Sequence, residues 1–314
     1  MELISVIIPA YNAEQTIERC LNSILGGYYK EIEVIVVNDG SVDSTAHRIS
    51  AIAENDNRIK LINQENIGVA GARNTGLRNA TGKYIAWCDS DDWVEPDWLE
   101  SLHKHIVEYD ADIAICRCQI DGRASVNTGE VEIWDRDTAM KKFLEHKQLN
   151  GTLYNKLFKR EAIEKGIFDE ELSYFEDDKF FWQTMKTTNR MVRFHEEKYH
   201  IIYNPSSLTS SKCSNKRIRA VSVWEEIAAD CKDTEYEKLA NGQMVYQYFV
   251  LLLAMFRGKC SDSEVEKKMC IAIRHFFVEG IRLVEGMSHK LFYGLTSIHV
   301  GLSRWLYGIV INRR

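Results

Sequence analysis

The chain has 314 residues, 45% of them hydrophobic, which is enough to bury a sizeable core and excludes a disordered polypeptide. A formal net charge of -6 excludes a general polyanion binder, so no nucleic-acid partner is expected. Eight cysteines without a CxxC pair exclude a zinc ribbon or dithiol motif, and they are expected to be reduced thiols, mostly buried.

In chain order, apolar β-branched runs predict short buried strands at Ser5 to Ile8, Glu33 to Val37, Ile59 to Ile62, Tyr84 to Trp87 and Asp112 to Cys116. Helical spacing fills the gaps at Ala13 to Leu25, Ser44 to Asn55, Val69 to Asn79 and Pro96 to Tyr109. In the first of these, Ile17, Cys20, Leu21 and Ile24 share one face. This alternation predicts an α/β fold with a mostly parallel sheet covered on both faces. Beyond residue 118 the pattern is irregular, with a helix near Thr138 to Glu145 and a strand-like run from Tyr199 to Tyr203. From about Ile218 the chain reads as helical, with apolar faces at Trp224 to Cys231, Leu239 to Phe256, Val265 to Val278 and Leu291 to Val310. The polar stretch at 213 to 217 predicts a boundary there. No secretory leader is read at the N-terminus, so a cytoplasmic location is expected. The strongly apolar run Tyr248 to Phe256 is shorter than the roughly 20 residues that cross a bilayer, and no spanning segment is expected.

An open parallel sheet binds ligands outside the carboxyl ends of its strands. Polar clusters fall there: Asn12 after the first strand, Asp39 and Asp43 after the second, and WCDSDDW at 87 to 93 after the fourth. Three carboxylates within four positions, Asp89, Asp91 and Asp92, repel one another, and a solvated turn is the plain explanation. A hard divalent cation, Mn2+ or Mg2+, bridging carboxylates to phosphates is the functional one. Neither GxGxxG nor GxxxxGK follows the first strand, so no glycine-rich phosphate cradle is expected there.

Taken together, PAYN at 9 to 12, VNDGSVDST at 37 to 45, NxGxxxARNxG at 66 to 76 and DSDD at 89 to 92 resemble the family 2 glycosyltransferases of the GT-A fold, bacterial cell-surface polysaccharide type. The motifs cover the first 118 residues in order, and YFEDD with Ser207-Leu208-Thr209 extends the likeness to about residue 210. The resemblance implies a GT-A catalytic domain over 1–213, with a nucleotide-sugar-binding half (1–118) and an acceptor half (119–213), followed by a helical region over 214–314.

It also implies the site. Pro9, Tyr11 and Asn12 lie in the loop that holds the base, with Tyr11 against uracil; Asp39 accepts from the uracil N–H; Arg73, Asp89 and Ser90 lie near ribose and sugar-phosphate. Asp91, with Asp89, holds the metal. Asp177, with Glu176 as the fallback, is the base that deprotonates the acceptor hydroxyl in an inverting transfer. Structural roles stand beside these: a rim tyrosine at Tyr11, an Asx turn at Asp39 with Gly40 and Ser41, a surface salt bridge at Arg73, and an acidic first turn for a helix over Lys179 to Lys186. Asp92 and Asp178 are expected as helix caps. His200 is read as a satisfied rim histidine, with a metal side ligand as the alternative.

The implied activity is a metal-dependent hexosyltransferase moving a sugar from a nucleotide donor, a UDP-sugar, to a saccharide or lipid-linked saccharide acceptor. A sugar nucleotidyltransferase and a non-catalytic nucleotide- or sugar-binding module are the alternatives. Met287 to Arg314 carries four basic and no acidic residues, with Leu291, Leu295, Ile298, Leu302, Trp305, Leu306 and Ile309 on one helical face. That face suits peripheral attachment at the inner membrane surface, or packing on the body of the protein or on a second subunit as a homodimer.

Overall fold

The computed structural model describes residues 2–120, 127–163, 166–202, 214–258 and 261–311. The expected contribution of Ser207-Leu208-Thr209, and the thiols of Cys213 and Cys260, lie outside the described residues.

The first half alternates strand and helix: β1 (Ile4–Ala10), α1 (Ile17–Leu25), β2 (Ile32–Asp39), α2 (Thr45–Ala53), β3 (Ile59–Gln64), α3 (Gly68–Asn79) and β4 (Tyr84–Trp87). These strands pair in parallel in the order β3-β2-β1-β4. Strands covered on both faces need continuous apolar sequence, and β1 and β4 are buried almost throughout. α1 buries Ile17, Cys20, Leu21 and Ile24, the face expected from spacing. It begins at Ile17 because the preceding amides are bound elsewhere: Ala13 N donates to Thr45 Oγ1 at 2.8 Å, and Glu14 N to Asp43 Oδ2 at 3.2 Å. α3 packs flat on β1, since a Cβ on Gly76 would stand 2.3 Å from Ile7 Cγ2.

The sheet then changes character. After β5 (Trp93–Val94), α4 (Trp98–Glu108) and β6 (Ile113–Ile120) come β7 (Val131–Asp135), α5 (Arg136–Glu145), β8 (Lys156–Lys159), α6 (Arg160–Ile163), α7 (Glu176–Met185) and β9 (Arg190–Ile201). β8 inserts antiparallel between β4 and β6, β6 and β9 are parallel, and β5 and β7 pair antiparallel with β9. Tyr199 to Ile201 are therefore the end of a longer strand, whose charged residues hide the alternation, and Tyr203 lies outside the described residues.

The remaining helices are α8 (Asn215–Ala220), α9 (Ser222–Asp230), α10 (Glu237–Gly258), α11 (Ser263–His275), α12 (Phe277–Ile281), α13 (Met287–Ile298) and α14 (Val300–Ile311). α10 is long and apolar enough to cross a membrane by length and composition, longer than the apolar run Tyr248 to Phe256 alone, and 67% of its apolar stretch is buried within the protein. Ala240, Met244 and Val245 carry its apolar character back beyond Tyr248. The single face expected over Leu291 to Val310 is interrupted, because His299 is extended (φ -156°, ψ 113°) and separates α13 from α14. The chain forms two compact units, one of Met1–Ala139 with Gly151–Pro205 and one of Met140–Asn150 with Ser206–Arg314. The six described cysteines are thiols, five buried and Cys118 half-buried.

Candidate active site

The register fixes where the polar strand ends meet. Ala10 aligns with Asn38, Asp39 with Gln64, and Ile7 with Trp87, so the residues following β1, β2 and β4 leave the sheet along one edge. At that edge the loops after β1 and β2 are tied together. Asn12, in a left-handed conformation (φ 50°) that Asn tolerates, donates its N–H to Ser41 Oγ at 3.0 Å and accepts from Val42 N at 3.0 Å. Pro9 is half-buried, and Tyr11 is 53% exposed on the rim.

Asp39 is 3% exposed. Its Oδ1 accepts from Gln64 Nε2 at 2.7 Å and from Ile67 N at 3.0 Å, and its Oδ2 from Gly68 N at 2.9 Å. The carboxylate thus holds the first amides of α3 instead of making the Asx turn expected with Gly40 and Ser41. The neighbouring Asn38 serves that turn, accepting from Ser41 N at 3.3 Å.

The acidic triplet after β4 divides its labour. Asp92 is 3% exposed, accepting from Tyr199 Oη at 2.9 Å and from Ile202 N at 2.9 Å. It therefore clamps the end of β9 instead of capping α4, and burial, with Asp89 adding, pushes its pKa up to about 7. The same Tyr199 hydroxyl accepts the Asp89 N–H at 3.0 Å, so one phenol sets the loop at both ends. Asp89 lies 3.8 Å from Arg73, while Ser90 and Asp91 are half-exposed. Burial raises the pKa of Asp89; Arg73 opposes that rise and Asp91 and Asp177 add to it. Carboxylate crowding is thus relieved partly by Arg73 and by the Asp92 hydrogen bonds, where the sequence suggested a solvated turn or a divalent cation with its phosphates.

Arg73 is the hub. It is 8% exposed, donates to Glu176 Oε1 at 2.7 Å, and stands 5.5 Å over the Phe168 ring. It is a buried bridge between the β4 loop and α7, not the surface salt bridge weighed from sequence. Burial works against its charge, yet Glu176, Asp89 and Asp177 hold its pKa above the ordinary value.

α7 begins at Glu176, three residues before the expected Lys179, and follows Phe175, whose positive φ of 60° is a strained conformation for an aromatic residue. Glu176 is 7% exposed with its pKa raised by burial and by Asp177, against the pull of Arg73. Asp178 is 6% exposed and accepts from Gly151 N at 3.0 Å, so the expected cap is instead a clamp on the turn before β8. A Cβ on Gly151 would stand 2.3 Å from Asp178 Oδ1, so only glycine brings that backbone so close. Asp177 alone of the three stays half-exposed, its Oδ1 accepting the Asp178 N–H at 2.9 Å.

His200 bonds Glu95 Oε1 at 2.7 Å and stacks on Trp93 at 3.7 Å between ring centroids, as a satisfied rim histidine does. Among the described residues no group of three or more His, Cys, Asp or Glu side chains converges as a metal site. Two carboxylates, Asp91 and Asp89, remain at the rim, and Mg2+ or Mn2+ is commonly held by one or two carboxylates together with substrate phosphates.

The sequence reading missed Gln64, Phe168, Tyr199 and Lys156. Lys156 was visible as a lysine inside the apolar run Tyr154 to Phe158, a position where a charge needs a reason.

The family model described as "Glycosyl transferase family 2" matches residues 5–167, over half of the chain. The chain belongs to glycosyl transferase family 2. Among its relatives is glycosyltransferase GlyA of Streptococcus pneumoniae serotype 4, 52% identical over 112 residues, which are 36% of this chain and 16% of GlyA. This chain therefore spans well under two thirds of that relative's length. The structure of S. aureus TarS 1–349 in complex with UDP-GlcNAc superimposes with a TM-score of 0.69 at 20% identity, covering 100% of this chain and 93% of that one. A mannosyltransferase of Pyrobaculum calidifontis, in complex with GDP-Man and Mn2+, gives a TM-score of 0.55 at 17% identity, covering 98% and 86%. These two establish the GT-A fold shared with this family 2 chain.

Proposed function

We propose that the chain is an inverting, metal-dependent glycosyltransferase that moves a sugar from a UDP-linked donor to a saccharide or lipid-linked saccharide. The observation that carries this reading is the Arg73 bridge. A guanidinium 2.7 Å from Glu176 and 3.8 Å from Asp89 draws the acidic loop after β4 and the acidic start of α7 around one position. Family membership supports the reaction type, and the UDP-GlcNAc complex of TarS supports the donor class.

The residues take distinct roles. Tyr11, Pro9 and Asn12 form the rim against which the base packs, with Asp39 behind it. Ser90 and Asp89 face ribose and diphosphate. Asp91 and Asp89 would hold Mn2+ or Mg2+, which when bound supplies Lewis-acid stabilisation of the departing diphosphate; the Mn2+ complex of the Pyrobaculum enzyme supports this choice of metal. Glu176 is committed to Arg73, which leaves Asp177 as the base. Asp177 takes the proton of the acceptor hydroxyl as that oxygen bonds to the anomeric carbon and the carbon–diphosphate bond breaks on the opposite face.

Asp177→Asn is expected to lower the turnover of UDP-sugar transfer by about 10²- to 10⁴-fold, the usual contribution of a general base, with donor affinity unchanged. Unchanged turnover removes Asp177 from the mechanism; lost donor affinity assigns it to binding.

The catalytic domain is taken to run to about residue 213, with the helical region after it. In that region Met287, Leu291, Ile298, Leu302 and Trp305 are exposed. We take this surface to attach the enzyme peripherally to a membrane bearing the acceptor. Deleting 287–314 and finding membrane fractionation unchanged contradicts that placement.

A further inference from the structure

Asp91 lies midway in the loop between β4 and β5, and among the described residues its carboxylate accepts no hydrogen bond. Its aim is therefore set through the backbone. The peptide joining Asp91 to Asp92 is held at both ends: Asp92 N donates to the Asp89 carbonyl at 3.2 Å, and the Asp91 carbonyl accepts from Arg19 Nη2 at 2.5 Å. A peptide is planar, so holding these two groups fixes ψ of Asp91 and with it the direction of the side chain. The first bond is at the long end of the ordinary range, whereas the second is short and charge-assisted.

Arg19 stands in the first turn of α1 and is exposed, with no acidic partner among the described residues. Its neighbours on that helix serve the same loop. Cys20 Sγ donates to the Asp89 carbonyl at 3.6 Å, and Ser23 Oγ accepts the Val94 N–H at 3.2 Å. α1 thus holds the loop at 89, 91 and 94, while Tyr199 fixes the Asp89 amide and the Asp92 carboxylate. Of these anchors, Arg19 is the one that bears on Asp91 itself.

We propose that Arg19 is a positioning residue for the metal: by pinning the Asp91 carbonyl it aims the Asp91 carboxylate at the cation bridging it to the diphosphate. The proposal rests on Asp91 holding Mn2+ or Mg2+, the reading given above. Arg19 meets the loop at a carbonyl and not at a carboxylate, so its contribution is orientation. Its charge alone acts the other way, since a guanidinium near a bound cation repels it. Groups that orient a metal ligand without touching the metal are commonly worth about 10- to 100-fold in metal affinity. An anchor on the backbone, with the Asp89 carbonyl still holding the same peptide, belongs at the low end of that range.

The test is UDP binding to the full chain by titration calorimetry, in EDTA and over a series of Mn2+ concentrations, for wild type, Arg19→Met and Arg19→Lys. In R19M the Mn2+ concentration that gives half of the gain in UDP affinity is expected to rise about tenfold, with UDP affinity in EDTA unchanged. R19K keeps a cationic donor on a long side chain and is expected to bring that midpoint most of the way back, since one bond to a carbonyl does not need the guanidinium fork. A wild-type midpoint in R19M overturns the proposal, whatever happens to its melting temperature. A lower midpoint overturns it too, because charge repulsion then outweighs orientation. An equal loss in EDTA makes Arg19 a nucleotide contact instead, and R19K no better than R19M removes the carbonyl bond as the cause. D91N measured in parallel separates the two levels: a Mn2+ gain retained in D91N sinks the metal assignment, whereas a gain lost in D91N with an unmoved midpoint in R19M sinks only the role of Arg19.

Discussion

Replacing Arg73 by methionine tests the hub of the site. The guanidinium and the Glu176 carboxylate lie 2.7 Å apart, each side chain about 10% exposed, and Asp89 stands 3.8 Å away on the other side. Breaking a buried pair by removing one partner leaves an uncompensated charge, which costs about 3–5 kcal/mol, a large share of the roughly 5–15 kcal/mol that stabilises a typical domain. Methionine fills much of the space, so the loss is mainly electrostatic. The cost has a pH signature. Arg73 is what opposes the upward shift of Glu176, so without it the folded-state pKa of Glu176 rises further above its unfolded value. A carboxyl raised in the folded state destabilises progressively as pH climbs from the unfolded pKa through the folded one. R73M is therefore expected to be weakest near neutrality and to regain stability relative to wild type as pH falls towards about 5. Adding Glu176→Gln removes the orphan charge and should restore more than half of the loss at pH 7. Urea unfolding of wild type, R73M, E176Q and the double variant at both pH values measures this. A loss in R73M below about 1 kcal/mol, the value of an exposed pair, or a double variant no more stable than R73M, refutes the buried-bridge account.

Other consequences follow from single contacts. Tyr199→Phe removes the donor to Asp92 and the acceptor of the Asp89 amide, so a loss of about 1–3 kcal/mol in thermal unfolding and weaker UDP binding by calorimetry are expected together. Gly76→Ala drives a methyl against Ile7, and overpacking of about 1–3 kcal/mol is expected as a lowered melting temperature with the donor site intact. Asp91→Asn is expected to abolish the increment in UDP affinity that Mn2+ gives the wild type while leaving metal-free UDP binding unchanged; EDTA titration of the wild type should reproduce the variant.

The first half of the fold was legible because its physics is local. Buried parallel strands demand continuous apolar runs, and Val34 to Val37 or Tyr84 to Trp87 admit little else. The strand-end rule alone places Asp39, Asp89 and Asp91 at one edge of the sheet. What sequence could not supply was pairing at long range. The partners of Arg73 are 16 and 103 positions away, and those of Asp92 more than 100. Asp92 and Asp178 look like caps because capping is the local use of aspartate, whereas both are used to clamp remote backbone. β7 and β8 escaped notice because they are short and their charged residues, such as Glu132 and Lys156, break the apolar pattern.

The placement of β4 bears on how the chain is made. One edge of this strand joins β1, formed from sequence already emerged, while its other edge waits for β8, about seventy residues later. During synthesis the segment Tyr84-Ile85-Ala86-Trp87 therefore offers a naked apolar border to any passing strand. Translation that stalls between the two partners should yield sticky, chaperone-dependent fragments, and a ribosome-bound nascent chain becomes safe only once Lys156 to Lys159 has cleared the exit tunnel.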